Sequence, residues 1–176
     1  MGRAISDMIT QGGKRHGANM GILHISHPEI MDFIHMKDDN DTAQNFNVSV
    51  AITDDFMKAV EENLEWELRD PSTYDVTGKL PARQIWNELV ESACKTGDPG
   101  LYFIDESNRT NPTPHLGTLD STNPCGEVPL LAHEACNLGS IHLGQFVLSP
   151  SAGSGQTPSA SSGGQDERPR FDFAGL

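Results

Sequence analysis

The chain has 176 residues, enough for one domain of ordinary size with a core of its own. Hydrophobic residues make up 36% and charged residues 21%, which fits a soluble globular protein and excludes wholesale disorder. Lys+Arg is 12 against Asp+Glu 25, a net charge of −13 that repels phosphate backbones, so no nucleic-acid partner is expected.

The N-terminal residues 4–9 place Ala4, Ile5, Met8 and Ile9 at helical spacing, and Gln11-Gly12-Gly13 stops that helix. Residues 20–25 read as a short strand. Ser26-His27-Pro28-Glu29 then has the S-x-x-E form of a capping box, opening a helix with Ile30, Phe33 and Ile34 on one face. Phe46, Val48, Val50 and Ile52 alternate, predicting a strand over 45–52 with one face buried. Thr53 can cap the next helix, whose apolar positions are Phe56, Met57, Val60 and Leu64. Asp70-Pro71-Ser72 and Thr77-Gly78 mark a turn-rich connection. Residues 82–95 form the longest predicted helix, with Ile85, Leu89 and Ala93 at four-residue steps and Gly97 available as its C-cap. Residues 101–104 are another strand, followed by a Pro- and Asn-rich loop through Ser121.

Strands alternating with helices predict an α/β fold with a largely parallel sheet. Such sheets place their chemistry in loops leaving the carboxyl ends of the strands, which points to segments 11–19 and 105–127. From residue 149 to 165 the sequence is SPSAGSGQTPSASSGGQ, which cannot bury enough apolar surface to offset its backbone entropy and is expected to be flexible. The final residues, FDFAGL, turn apolar again and stop without a helix end, so the chain reads as cut there. No apolar run approaches the ~20 residues needed to cross a bilayer, and MGRAISDMITQGG lacks the apolar stretch of a secretory signal. Three cysteines are too few for a disulfide scaffold, and the expected compartment is the reducing cytoplasm.

The densest concentration of reactive groups is Asn123-Pro124-Cys125-Gly126-Glu127. Pro124 restricts the backbone and Gly126 permits a sharp bend, which can hold Cys125 at a loop tip; the competing reading is a buried, inert cysteine in a turn. A thiolate nucleophile calls for a nearby His or a helix N-terminus. Glu127, an adjacent negative charge, suits a neutral S–H instead. Eleven residues later comes Cys136, too far for a C-x-x-C motif and without a second pair for a zinc ribbon. His24, His27, His115, His133 and His142 lack carboxylate or thiol partners at ligand spacing, so no metal site is expected. Cys94 is expected to be a packing residue of the 82–95 helix. The segment QGGKRHGAN at 11–19 could hold a phosphate on its backbone N–H groups and cations, or form a solvated basic turn.

Several of these stretches together resemble one family. NPCGE at 123–127, followed by ACNLGSI at 135–141, is similar to the active-site region of ribonucleotide reductases, above all the adenosylcobalamin-dependent (class II) catalytic chain. QGGKRHGANMGIL (11–23), HPEIMDFI (27–34), NFNVSVAITDDFM (45–57), KTGDPGLYFID (95–105) and NRTNPTPHLGTLDSTNPCGE (108–127) match it in order. The resemblance implies reduction of ribonucleotides to 2′-deoxyribonucleotides, and a ten-stranded α/β barrel with the cysteine on an inner finger loop. Residues 1–148 would be part of that barrel, 149–168 a variable connection, and 169–176 the start of the next barrel element.

Carried over by resemblance, Cys125 is the thiyl-radical site that abstracts the 3′-hydrogen, which agrees with the neutral S–H. Glu127 takes the 3′-OH proton, and Asn123 holds the ribose oxygens. Pro124 and Gly126 complete the substrate-binding turn. Cys136 is one half of the dithiol that delivers reducing equivalents, with its partner expected before Met1. Gln11, Lys14 and Arg15 fall on the family's specificity loop, while His16 stands where many relatives carry arginine. Adenosylcobalamin is the implied cofactor. A nucleotide effector and a thioredoxin-like reductant are the implied partners, and a homodimer is compatible. The diiron or dimanganese-dependent (class I) large chain shares the barrel and a related Asn-x-Cys-x-Glu pattern and is one alternative. A truncated, non-catalytic nucleotide-binding chain is the other.

Overall fold

The computed structural model describes residues 10–11, 15–38, 46–143, 147–148 and 170–171, which divide into two units, 1–136 and 137–176. The expected helix over 4–9 and the whole of the 149–168 connection lie outside the described residues.

The first unit is built on a three-stranded parallel sheet of β3 (Asn19–His24), β4 (Phe46–Ile52) and β7 (Gly100–Phe103), with β4 in the centre. Asn19 pairs with Phe46 and Met20 with Asn47; on the other side Val50 pairs with Leu101 and Ala51 with Tyr102. The alternation read from residues 45–52 holds in part: Phe46 on the expected core face is half-buried, and Ala51 on the other face is buried as well, at 3% exposure. Val50 and Ile52, 0% and 1% exposed, join a core with the three helices α1 (Ile30–His35), α2 (Asp54–Glu61) and α3 (Ala82–Thr96). Asn47, Ser49 and Ala51 take the opposite face.

Thr53 caps α2 as expected, its Oγ1 accepting the Phe56 N–H at 3.2 Å. The stripe of α2 ends sooner than expected, and Leu64 is 49% exposed. Asn63, with φ +56, turns the chain, so that the Leu64 N–H bonds back to the Ala59 carbonyl at 2.9 Å. The capping box predicted at Ser26 and Glu29 does not form. The two N–H groups it would satisfy are taken by imidazoles: Ser26 N–H donates to His24 Nδ1 (3.2 Å) and Glu29 N–H to His27 Nδ1 (3.1 Å), and α1 starts at Ile30 with no side-chain cap.

Gly97 terminates α3 in the left-handed conformation, φ +87. The buried stripe of α3 is Ala82, Ile85, Leu89 and Ser92, not one through Ala93. Ser92 is satisfied inside the core by donating to the Ile34 carbonyl at 3.0 Å. Cys94 corrects the packing expectation: two residues past Ser92 it is about 200° further round the helix, and it is exposed.

The turn-rich connection holds a hairpin that local turn signals obscured. β5 (Glu65–Arg69) and β6 (Val76–Pro81) pair antiparallel, and Asp70 Oδ1 accepts the Ser72 and Thr73 N–H groups in the turn between them. The strand expected at 101–104 starts one residue earlier, and Ile104 opens a short helix, α4 (Ile104–Arg109), inside the expected loop. β1 (Thr10–Gln11) and β2 (Arg15–His16) pair antiparallel, so the 11–19 segment contains a hairpin rather than an open loop. The fold class is α/β with a parallel sheet, and the described residues form no closed barrel. In the second unit, β10 (Val147–Leu148) pairs antiparallel with β11 (Arg170–Phe171).

Candidate active site

Cys125 sits at the tip of a hairpin between β8 (Ser121–Thr122) and β9 (Pro129–Leu130). The Gly126 N–H donates to the Asn123 carbonyl at 2.9 Å, which closes a four-residue turn with Asn first, Pro second, Cys third and Gly fourth. Each of Asn, Pro and Gly stands where such a turn favours it: Asn at the start, Pro with its φ already set, and Gly at the exit. Gly126 has φ +83, a conformation that L side chains rarely adopt. Asn123 ties the exit strand back twice: its N–H donates to the Val128 carbonyl (3.3 Å), and its Oδ1 accepts the Val128 N–H (3.0 Å). Cys125, Gly126 and Glu127 are exposed, whereas Thr122 just before the turn is 8% exposed. The thiol is therefore a presented group, and the buried-cysteine reading is set aside.

Two asparagines outside the motif fix the approach to this turn. Asn108 on α4 holds Leu119 from both sides, its Nδ2 donating to the Leu119 carbonyl and its Oδ1 accepting the Leu119 N–H, each at 2.8 Å. Asn47, second residue of β4, donates through Nδ2 to the Pro124 carbonyl. Neither was singled out from sequence. Asn47 is exposed on a strand that also carries Ser49, so nothing in the local sequence marks it.

The loop leaves the carboxyl end of β7 as expected, but its cysteine turn returns to the amino end of β4, where Asn47 lies. The expectation places this segment's candidate site at the carboxyl ends, whereas the turn itself stands at the amino end. The hairpin of Gln11 and Arg15 immediately precedes β3 and so belongs to the same amino end; Lys14 lies outside the described residues. Cys136 is exposed and, like Cys94 and Cys125, carries a free thiol. Just before it, Glu134 Oε2 accepts the Leu131 N–H at 2.9 Å and His133 has φ +62.

The carboxyl ends of the strands carry charge instead. Asp105 Oδ2 accepts the Asp54 N–H at 2.8 Å, giving α2 a second N-terminal partner. Arg109 bridges Asp54 (2.7 Å) and Glu106, and these two carboxylates hold its guanidinium firmly in the charged form. Partial burial lowers the pKa of His24, at the end of β3, against the opposing pull of Asp105. His24 and His27 line a cavity of about 320 Å³ with Ser26, Arg69, Asp70 and Tyr74. Among the described residues no three His, Cys, Asp or Glu side chains gather as a metal site, and no helix is long and apolar enough to cross a membrane.

Comparison with known proteins gives this turn a context. A family model described as ribonucleotide reductase, barrel domain, matches residues 3–176. A vitamin B12-dependent ribonucleoside-diphosphate reductase of Thermoplasma acidophilum is 51% identical over 144 residues, covering 81% of this chain and 19% of the relative. One of the same name from Mycobacterium tuberculosis is 44% identical over 141 residues, covering 80% of this chain and 20% of the relative. A vitamin B12-dependent ribonucleotide reductase of Rhodopirellula baltica is 33% identical over 171 residues, covering 82% and 16%. The chain thus spans about one fifth of the length of the first two relatives. By a match that runs through the parallel sheet and the cysteine turn alike, the chain belongs to the ribonucleotide reductase family, in its barrel domain.

Proposed function

We propose that this chain carries the radical-bearing turn of a vitamin B12-dependent ribonucleotide reductase, which converts ribonucleoside diphosphates to 2′-deoxyribonucleotides. The observation that carries the reading is the presentation of Cys125 at the tip of a hydrogen-bonded turn between Asn123 and Glu127. The names of the relatives support the cofactor and the diphosphate, and favour this reading over the metal-dependent class.

In this reading the Cys125 sulfur, as a thiyl radical, takes the 3′-hydrogen atom: the C3′–H bond breaks and an S–H bond forms. Glu127, two residues on, accepts the 3′-OH proton. Asn123 has its Oδ1 committed to the Val128 N–H, so its Nδ2 protons are the part of the amide left to hold the ribose oxygens. The 2′-OH leaves as water with a proton from one thiol of a dithiol containing Cys136; that dithiol then gives a hydrogen atom to C2′ and one further electron, closing to a disulfide, while Glu127 returns its proton to O3′. The Cys125 thiyl then regains its place by returning the hydrogen to C3′. Adenosylcobalamin, when bound, supplies the initial radical by homolysis of its cobalt–carbon bond. The turn leaves room for a bulky neighbour: the thiol is exposed, and among the described residues no atom beyond its chain neighbours lies within 4 Å of the place a side chain on Gly126 would occupy. Gln11, Lys14 and Arg15 are assigned to effector sensing and a thioredoxin-like protein to re-reduction. A homodimer is compatible with this scheme.

In the full-length enzyme containing this segment, Cys125→Ser is expected to abolish nucleotide reduction with an unchanged circular dichroism spectrum, because an O–H bond is too strong to replace S–H in hydrogen-atom transfer. Turnover should require adenosylcobalamin and a dithiol. Activity retained in Cys125→Ser, or restored by a diiron partner protein in place of the coenzyme, overturns the reading.

A further inference from the structure

We infer that Asn47 is a positioning residue for the reaction, holding the Cys125 turn against the central strand of the sheet. The inference rests on the reading of Cys125 as the hydrogen-abstracting residue. The turn's own hydrogen bond runs from Gly126 N–H to the Asn123 carbonyl and leaves the Pro124 carbonyl unused by the turn. Pro124 has no N–H, so that carbonyl is the only backbone handle of the residue before the cysteine. Asn47 Nδ2 grips it from a position 77 residues away in sequence.

The consequence follows from peptide geometry. The Pro124 carbonyl lies in the same rigid plane as the Cys125 nitrogen and Cα. Fixing the oxygen therefore fixes the plane from which the Cys125 side chain departs. The anchor stands on a paired strand: Asn47, itself exposed, pairs with Met20 of β3, the pairing with β7 begins two residues on at Ser49, and the residues after it include Val48 at 2% and Val50 at 0% exposure. Without this bond the turn remains closed by its Asn123 contacts but is free to rock about its two short strands. Hydrogen-atom transfer requires the sulfur within a narrow distance of C3′, and a displacement of about 1 Å can lower a rate about 100-fold.

The test uses Asn47→Asp, which keeps the shape and replaces the donor by a carboxylate facing a carbonyl, together with Asn47→Ala and Asn47→Gln, all in the full-length enzyme. Expected for Asp and Ala are a kcat lowered about 10- to 100-fold and a nucleotide KM and melting temperature close to those of the parent. Amide hydrogen exchange should be faster across residues 123–128 and unaltered in the core helices. Gln, which keeps an amide donor, should recover part of kcat. Parental kcat and parental exchange in both Asp and Ala overturn the inference, as does a drop in kcat accompanied by general loosening of the core. Cys125→Ser is run alongside: if it retains turnover, the reading of Cys125 fails, whereas exchange over 123–128 still reports whether Asn47 holds the turn.

Discussion

The side chain of Asn123 shapes its turn through one atom, Oδ1, and leaves to Nδ2 the ligand role that the proposed function gives it. Its Oδ1 is occupied by the Val128 N–H, so Asn123→Asp preserves the acceptor that folds the hairpin and removes only the donors. That variant should fold like the parent and lose about 100- to 1,000-fold in kcat/KM, the scale seen when one preorganised donor to a developing oxyanion is lost. An unchanged kcat/KM would assign Asn123 a purely structural role. The two cysteines separate by assay. If Cys136 only recycles electrons, Cys136→Ser should still exchange tritium from 5′-labelled adenosylcobalamin into water, yet fail in turnover driven by thioredoxin. Cys125→Ser should fail in both. The turn itself was legible in the sequence, because Asn, Pro and Gly flanking Cys125 are local preferences of consecutive residues. Asn47 was not, because its partner is the backbone of a residue 77 positions away, and no local pattern encodes that distance.

At the scale of elements, period-two alternation and the signals at Thr53 and Gly97 located β4, the start of α2 and the end of α3, since each depends on neighbours a few residues apart. The misreading at Ser26 has a different origin: a capping box competes with any other acceptor within reach, and His24 and His27 supply two. That substitution makes the turn ahead of α1 sensitive to acid at His24. His24 accepts through Nδ1 only when that nitrogen carries no proton, and partial burial already lowers its folded pKa below the ordinary 6.5. The unfolded chain then binds more protons than the folded one as pH falls below 6.5, so stability declines from there toward the folded pKa. The melting temperature should fall on acidification from pH 7 to about 5.5, and His24→Gln should flatten that decline. Carboxyls held below their usual range, such as Asp70 by the Ser72 and Thr73 N–H groups, lose their contribution only in more acid solution. An identical pH profile in His24→Gln would remove His24 as the cause.

The whole molecule sets two tendencies against each other. Its parallel sheet was legible from the order of strands and helices, but the closure of a barrel was not to be found in three strands, whose outer edges at β3 and β7 are unpaired among the described residues. Leu101 and Phe103 on β7 stand in register with Val50 and Ile52, yet are 40% and 44% exposed where their partners are buried. An exposed edge strand bearing apolar side chains favours pairing with another copy. The net charge of −13 opposes it. Salt weakens the second tendency and leaves the first, because the screening length falls from about 30 Å at 0.01 M to a few ångströms near 1 M. The isolated 176-residue chain should therefore be mostly monomeric at low salt and associate as salt rises toward about 0.5 M, as read by light scattering after size-exclusion chromatography. Leu101→Lys together with Phe103→Lys should suppress that association without lowering the melting temperature, since both side chains already reach solvent. Association that weakens with salt, or that survives the double substitution unchanged, would place the contact elsewhere and make it electrostatic rather than apolar.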